Sequence, residues 1–233
     1  MQPPPWWTLL SAAAAPVLLI AGWTVAGLRQ PDGYDGITDT ISELAAVGAT
    51  DRWIMNITLV AVGFCYVVTA AGLRPVPVAG RGMLAVGGLA TIAVTAFPQP
   101  EVGPSDAHGV TASIACLSVA LWPAGAVLLR RIRWIGPGLA GFAGRRPGGI
   151  APLGYVEQPW PLRPLVVLAV TGLLLALAGW FVLELQSRGT WIGVSERIAA
   201  GAQALWPLVV VLAIRRAALR DRLPRPLQSE LPQ

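Results

Sequence analysis

The sequence predicts an all-α polytopic integral membrane protein: a bundle of six transmembrane helices, with a short interfacial helix after span one. Three observations carry this. Hydrophobic residues make up 55% of the 233 and charged residues only 12%, about half the charged share of a soluble globular chain. The apolar residues gather into six runs of roughly the 20 residues a helix needs to cross a hydrocarbon core. The basic residues, 17 in number and all Arg, fall between those runs.

Span one is Trp6 to Leu28. No basic residue precedes it, so it lacks the n-region of a cleavable signal peptide and is expected to stay as a helix. The stretch after it is the most polar in the chain. Asp32, Asp35, Asp39, Glu43 and Asp51 lie within 20 residues. Such a segment between two spans belongs at a membrane face or along a wet cavity. Within it, Thr40-Ile41-Ser42-Glu43 matches a capping box, in which Thr40 and Glu43 satisfy the orphan amides of a helix start. The short helix would turn Ile41, Leu44, Ala45 and Gly48 to one face and Asp39, Ser42 and Glu43 to the other.

Span two is Trp53 to Leu73. Span three, Gly82 to Phe97, is the shortest, and leaves through Phe97-Pro98-Gln99-Pro100. Span four is Ala107 to Leu129. It carries His108, Thr111, Ala115 and Ser118 roughly on one face. The segment 130–163 is rich in Arg, Gly and Pro and has no helical or strand period, so it reads as a flexible loop. Span five is Pro164 to Leu185, span six Ile198 to Ile214, and 215–233 an Arg-rich tail. The sequence Ala-Leu-Trp-Pro occurs at 120–123 and again at 204–207, followed each time by an Arg pair. The echo is compatible with a duplicated two-helix unit and equally with chance in an Ala/Leu/Val-rich chain. Pro123 and Pro207 are expected to bend their helices.

Arginine bias sets the orientation. With the N-terminus cytoplasmic, 13 of the 17 arginines fall inside and 4 outside, and 9 of the 12 acids fall outside. Both termini are therefore expected in the cytoplasm. The absence of Lys beside abundant Ala, Gly and Arg points to a high-GC bacterial gene, and so to a bacterial plasma membrane.

Several function classes recede. The arginines are dispersed among loops and do not line one groove, which argues against nucleic acid. No charge falls in the middle third of a span, where ion and proton paths place them. No phosphate-cradling Gly loop occurs. Cys65 and Cys116 sit in apolar runs without metal-ligand spacing and read as small core residues. With one His in the chain, neither a metal nor a cofactor is expected.

Three polar clusters converge on the outer face: Asp39, Ser42 and Glu43; Asp106 and His108; and Glu184 with Ser195, Glu196 and Arg197. Gln203 lies two turns from Glu196 on the same face. The expected binding pocket is therefore Asp39, Ser42, Glu43, Asp106, His108, Glu196, Arg197 and Gln203. It would form one connected network, with Arg197 or Arg52 offsetting part of the charge. The leading reading is an acidic outer pocket for a small molecule or lipid headgroup. An alternative is a membrane-embedded hydrolase of lipid or envelope substrates, with Ser42 as nucleophile, His108 as base and Asp39 or Asp106 orienting it. Another is a structural or accessory subunit packing on a membrane partner or a second copy. Each cluster also has a local explanation: capping for Ser42 and Glu43, a loop-carbonyl bond for His108, loop pairing for Glu196 and Arg197.

Asp39-Thr40-Ile41-Ser42-Glu43-Leu44 after the first span, Phe97-Pro98 ahead of His108, and Ser195-Glu196-Arg197 opening the last span together resemble a family of bacterial and archaeal six-helix membrane proteins. That family is domain of unknown function nine-nine-eight. The resemblance runs from about Ala12 to Arg216. Ala45-Ala46 stands where the family often has Gly. The resemblance implies the six-helix architecture and implies that the three clusters belong together; it brings no activity.

Overall fold

The computed structural model describes residues 2–100, 103, 105–135 and 158–221. The expected 130–163 loop and 215–233 tail lie largely outside these. The described residues form seven α-helices and no strand. They are α1 Trp6–Leu28, α2 Ile41–Leu44, α3 Trp53–Gly72, α4 Val78–Val94, α5 Asp106–Ile135, α6 Pro164–Ser187 and α7 Ile192–Arg220. A 3-10 turn, Trp160–Leu162, precedes α6. Its Trp160 ring meets Trp206 of α7 edge-on at 6.1 Å.

Five of these helices are long and apolar enough to cross a membrane: α1, α3, α5, α6 and α7. The chain is a polytopic membrane protein. Helix α4 has 17 residues, at the short end of the spanning range. It begins four residues before the expected Gly82 and stops three before Phe97. Arg81 was expected to precede the span, yet it lies inside the helix, with its Nε donating to the Ala70 carbonyl at 2.9 Å. Helix α7 runs past the expected 198–214 at both ends. It therefore contains Glu196 and Arg197, whose partners are described below. Helices α5 and α7 continue unbroken through Pro123 and Pro207.

Six helices close a ring in chain order. Helix α1 packs on α3, α3 on α4, α4 on α5, α5 on α6, α6 on α7, and α7 on α1. Helix α2 rests on α1 and α7. Lipid tails are as apolar as Leu, so close van der Waals fit holds such helices together. Small residues supply it. A Cβ on Gly63 would strike the Gly88 carbonyl, and one on Gly88 would strike the Gly63 carbonyl, so α3 and α4 meet backbone to backbone. Ser11 and Thr69 hydroxyls bond at 2.8 Å between α1 and α3.

The two ends of the ring differ. At the end holding the start of α1 and the end of α7, Leu73, Leu84, Trp122, Val210 and Ile214 are fully buried and fill the interior. Arg215 Nη1 donates to the Pro4 carbonyl there at 2.9 Å. The opposite end holds α2, the start of α5 and the start of α7, and there the ring is hollow.

Candidate functional site

The hollow end is roofed by the segment from Gln30 to Asp51. Its ends are tied together: Gln30 Nε2 donates to the Thr50 carbonyl at 2.8 Å, Thr50 N–H donates back to Gln30 Oε1 at 3.1 Å, and Arg29 pairs with Asp51 at 2.8 Å. The Asp39 carboxylate closes a tight turn, accepting from Asp35 N–H at 2.7 Å and the Thr38 hydroxyl at 3.1 Å.

Arg197 fastens this turn to α7. Its Nη1 donates to the carbonyls of Gly36 and Asp39, both at 2.8 Å, and of Gly193 at 2.9 Å. Its Nη2 donates to the Tyr34 hydroxyl at 2.5 Å. Gly193 and Val194 N–H groups both reach the Ile37 carbonyl. Gly193 has no alternative here, because a Cβ would enter the Gly36 and Asp39 carbonyls. Burial pushes the Tyr34 phenol up, against the opposing pull of Arg197. On the far side, Val47 N–H donates to the Gln99 carbonyl at 2.8 Å and joins the roof to the α4–α5 loop.

Helix α2 is one turn long because two side chains hold its start. Thr40 Oγ1 accepts from Glu43 N–H at 3.1 Å, and Glu43 in turn is hydrogen-bonded by Thr40; this is the capping box. The second holder is Glu196. Its carboxylate accepts from Ile41 N–H and from the Ser42 hydroxyl, the latter at 3.2 Å. Ile41, Leu44 and Ala45 are buried beneath. Half-burial raises the Glu43 carboxyl above its ordinary range, Asp39 adds to this, and the Thr40 bonds oppose it.

Under α2 lies a cavity of about 770 Å³, within the range of ligand sites. Ser42, Glu43, His108, Glu196 and Gln203 line it. Asp39, Asp106 and Arg197 do not. Asp39 is spent on its turn, Arg197 on carbonyls, and Asp106 stands exposed at the first position of α5. Glu184 also lies elsewhere, bonded to Trp180 Nε1 and Trp191 N–H at 3.2 Å each. Arg52 does not reach the acidic cluster: its Nε is buried without a partner among the described residues. The cavity face of α5 is centred on His108, Ala112, Ala115, Cys116 and Val119, with Gly109, Ser113 and Leu117 along its edge, rotated from the expected His108, Thr111, Ala115 and Ser118. Ser118 faces α4 instead, beside Gly87.

Two lining residues carried no signal in the sequence. Cys116, expected as a core residue, receives a bond from Gln203 Nε2 at 3.3 Å deep in the cavity. Tyr66 lines the wall and is buried there. Both sit in apolar runs whose pattern marks only a helix face.

His108 Nδ1 lies 2.9 Å from the Phe97 carbonyl. A carbonyl only accepts, so Nδ1 carries a proton and donates it there. Ser42 and His108 are not hydrogen-bonded to each other among the described residues. Ser42 gives its proton to Glu196, and a carbonyl, not a carboxylate, orients His108. The described residues hold no group of three or more His, Cys, Asp or Glu arranged for a metal.

A family model for proteins of unknown function (DUF998) matches residues 13–213. The chain belongs to that family. No curated protein and no solved structure matches it. All seven elements of this DUF998 protein fall within or across the matched residues, and so do the cavity, its roof and the Glu196 and Arg197 fastenings.

Proposed function

We propose that this DUF998 protein is a six-span plasma-membrane protein whose outer acidic pocket binds a small molecule or a lipid headgroup. Helix α4 is counted as the sixth span; at about 1.5 Å per residue its 17 residues reach about 25 Å, enough with a locally thinner bilayer. The arginine bias supports cytoplasmic termini and so an outward-facing pocket. One observation carries the binding reading. Polar groups from three separate helices, Ser42 and Glu43, His108, and Glu196 and Gln203, line a single cavity of about 770 Å³. Fixed polar groups on an apolar wall are what a small-molecule site requires.

The test uses full-length protein stripped of lipid in detergent. It is challenged with a bacterial polar lipid extract and with a panel of water-soluble amines, sugars and acids, and melting temperature is read. A hit that raises it, and that is lost in Glu196→Gln and in His108→Ala, supports the reading. If no addition raises the melting temperature of the wild type, the cavity is a structural feature and the binding reading fails.

A further inference from the structure

We propose that the cavity is loaded sideways from the bilayer, through a gap between α5 and α6, by a single-tailed amphiphile with an amine head. The proposal deepens the binding reading and rests on it.

The position of the mouth comes from exposure. The cavity walls given by α1 and α3 are shut in: Leu19 is 5% exposed, Val62 1% and Tyr66 5%. The walls given by α5 and α6 are open, with Leu117 48% exposed, Val182 45% and Leu185 52%. A residue that both lines a cavity and is open on the outside stands at its mouth. These are large apolar side chains beside others that face outward on the same helices, such as Ile114 and Leu183. The mouth therefore gives onto hydrocarbon.

The rim is cut back on both helices. Ser105, just ahead of α5, and Gly109, Ser113 and Leu117, one turn apart along it, line the cavity and also a shallow depression on the outer side of that helix. Gly109 and Gly179 have nothing within 4 Å of where a Cβ would stand. On the aqueous side the way in is roofed by α2 and its fastenings to Arg197 and Gln99. A water-soluble ligand meets the roof; a membrane-dissolved one meets the gap.

The head chemistry follows from what the site offers. Glu196 uses two bonds of the four or so its carboxylate accepts. Glu43 adds a second carboxylate. Among the described residues no Arg lines the cavity, because Arg197 is consumed by backbone carbonyls. A site rich in acceptors and with no described Arg in its lining selects a donor head, and its two carboxylates favour an amine over an alcohol and repel a phosphate or carboxylate. The tail fits the rest. At about 30 Å³ per water-sized unit, a cavity of about 770 Å³ takes on the order of 25 heavy atoms, enough for one chain and a compact head.

The experiment places the full-length protein in phosphatidylcholine vesicles with dodecylamine carrying a diazirine on its tail. The chain-matched carboxylic acid probe runs in parallel. After irradiation, label is mapped by peptide mass spectrometry. The expected result is about tenfold more label on α5, α6 and α7 peptides from the amine than from the acid. Gly179→Trp should cut it about tenfold by plugging the gap. That variant grows into open space, so its melting temperature should match the wild type. Glu196→Gln should reduce amine labelling and narrow the difference between the heads. Equal labelling by both heads overturns the amine assignment, and labelling unchanged in a folded Gly179→Trp overturns the lateral route. If neither probe labels the cavity while ethylamine raises the melting temperature, this proposal fails and the binding reading stands.

Discussion

The Ser42 hydroxyl donates to the Glu196 carboxylate at 3.2 Å across 154 residues of chain. With the bond from Ile41 N–H to the same carboxylate, it makes Glu196 the cap of a helix to which it does not belong. A four-residue helix is too short to persist alone, since nucleation costs more than one turn returns. Helix α2 exists because Thr40 caps it from within and Glu196 from across the bundle. The roof of the cavity and the start of α7 are therefore one unit. Anything that displaces Glu196 from Ser42, a cationic head included, also acts on the roof.

Arg197 should be the costlier residue to lose. It satisfies the carbonyls of Gly36, Asp39 and Gly193 together. Removing a charged donor from part-buried acceptors costs about 2–4 kcal/mol in such settings. Arg197→Ala is expected to lower unfolding free energy by about that amount, and Arg197→Lys to recover little, because an ammonium cannot reproduce the planar fork. Chemical denaturation in detergent reads it. A loss below about 0.5 kcal/mol, the ordinary surface range, would mean the roof is held by something else.

Glu43 sets a pH dependence. Its carboxyl is raised above the ordinary range in the fold, chiefly by burial. The folded state therefore binds its proton more tightly than the unfolded chain. That contribution to stability is fully present below the ordinary carboxylate value and is lost as pH rises through the raised one. Glu43→Gln keeps a residue the capping box accepts and removes the titration. The variant should equal the wild type in mild acid and melt higher at neutral pH. Melting curves across that window decide it, and a variant that tracks the wild type at both ends would dissociate Glu43 from the effect.

The family and the helix positions were legible because apolar runs near 20 residues leave few alternatives in a membrane. Trp6–Leu28 and Pro164 at the head of α6 were read to the residue. Where a helix boundary slipped, a charge was involved. Arg81 and Glu196 looked like boundaries because hydropathy registers the cost of a charge and not its partner. Arg81 finds the Ala70 carbonyl and Glu196 finds α2, so both helices run through them. The same blindness hid which outer-loop atoms Arg197 would meet: acidic side chains are visible in a sequence, whereas the Gly36 and Asp39 carbonyls that a folded loop presents are not. Cys116 and Tyr66 were hidden for a different reason. On a helix surrounded by other helices, facing a cavity and facing a neighbour leave the same apolar pattern.

The proposed orientation rests on the arginines alone and can be read directly. In a background with Cys65 and Cys116 replaced by Ala, Ala49→Cys in the roof should react with a membrane-impermeant maleimide added to intact cells. Gly148→Cys, in the segment outside the described residues, should react only after lysis. Labelling of Gly148→Cys from outside would invert the topology and turn the pocket toward the cytoplasm.

The packing of the ring separates glycines that are needed from glycines that are free. At Gly63 and Gly88 each backbone occupies the place where the other's Cβ would stand. Neither carbonyl is the end of a flexible side chain, so relief requires α3 and α4 to move apart. Gly63→Ala and Gly88→Ala should each cost about 1–3 kcal/mol, the usual range for overpacking, and the double variant less than their sum, because one separation relieves both. Gly179 is the control. Nothing stands within 4 Å of its Cβ position, and Ala is the better helix residue by about 0.5–1 kcal/mol. Gly179→Ala should therefore leave stability unchanged or raise it. If all three variants behave alike under denaturant, the α3–α4 approach is looser than its geometry implies, and the ring is held elsewhere.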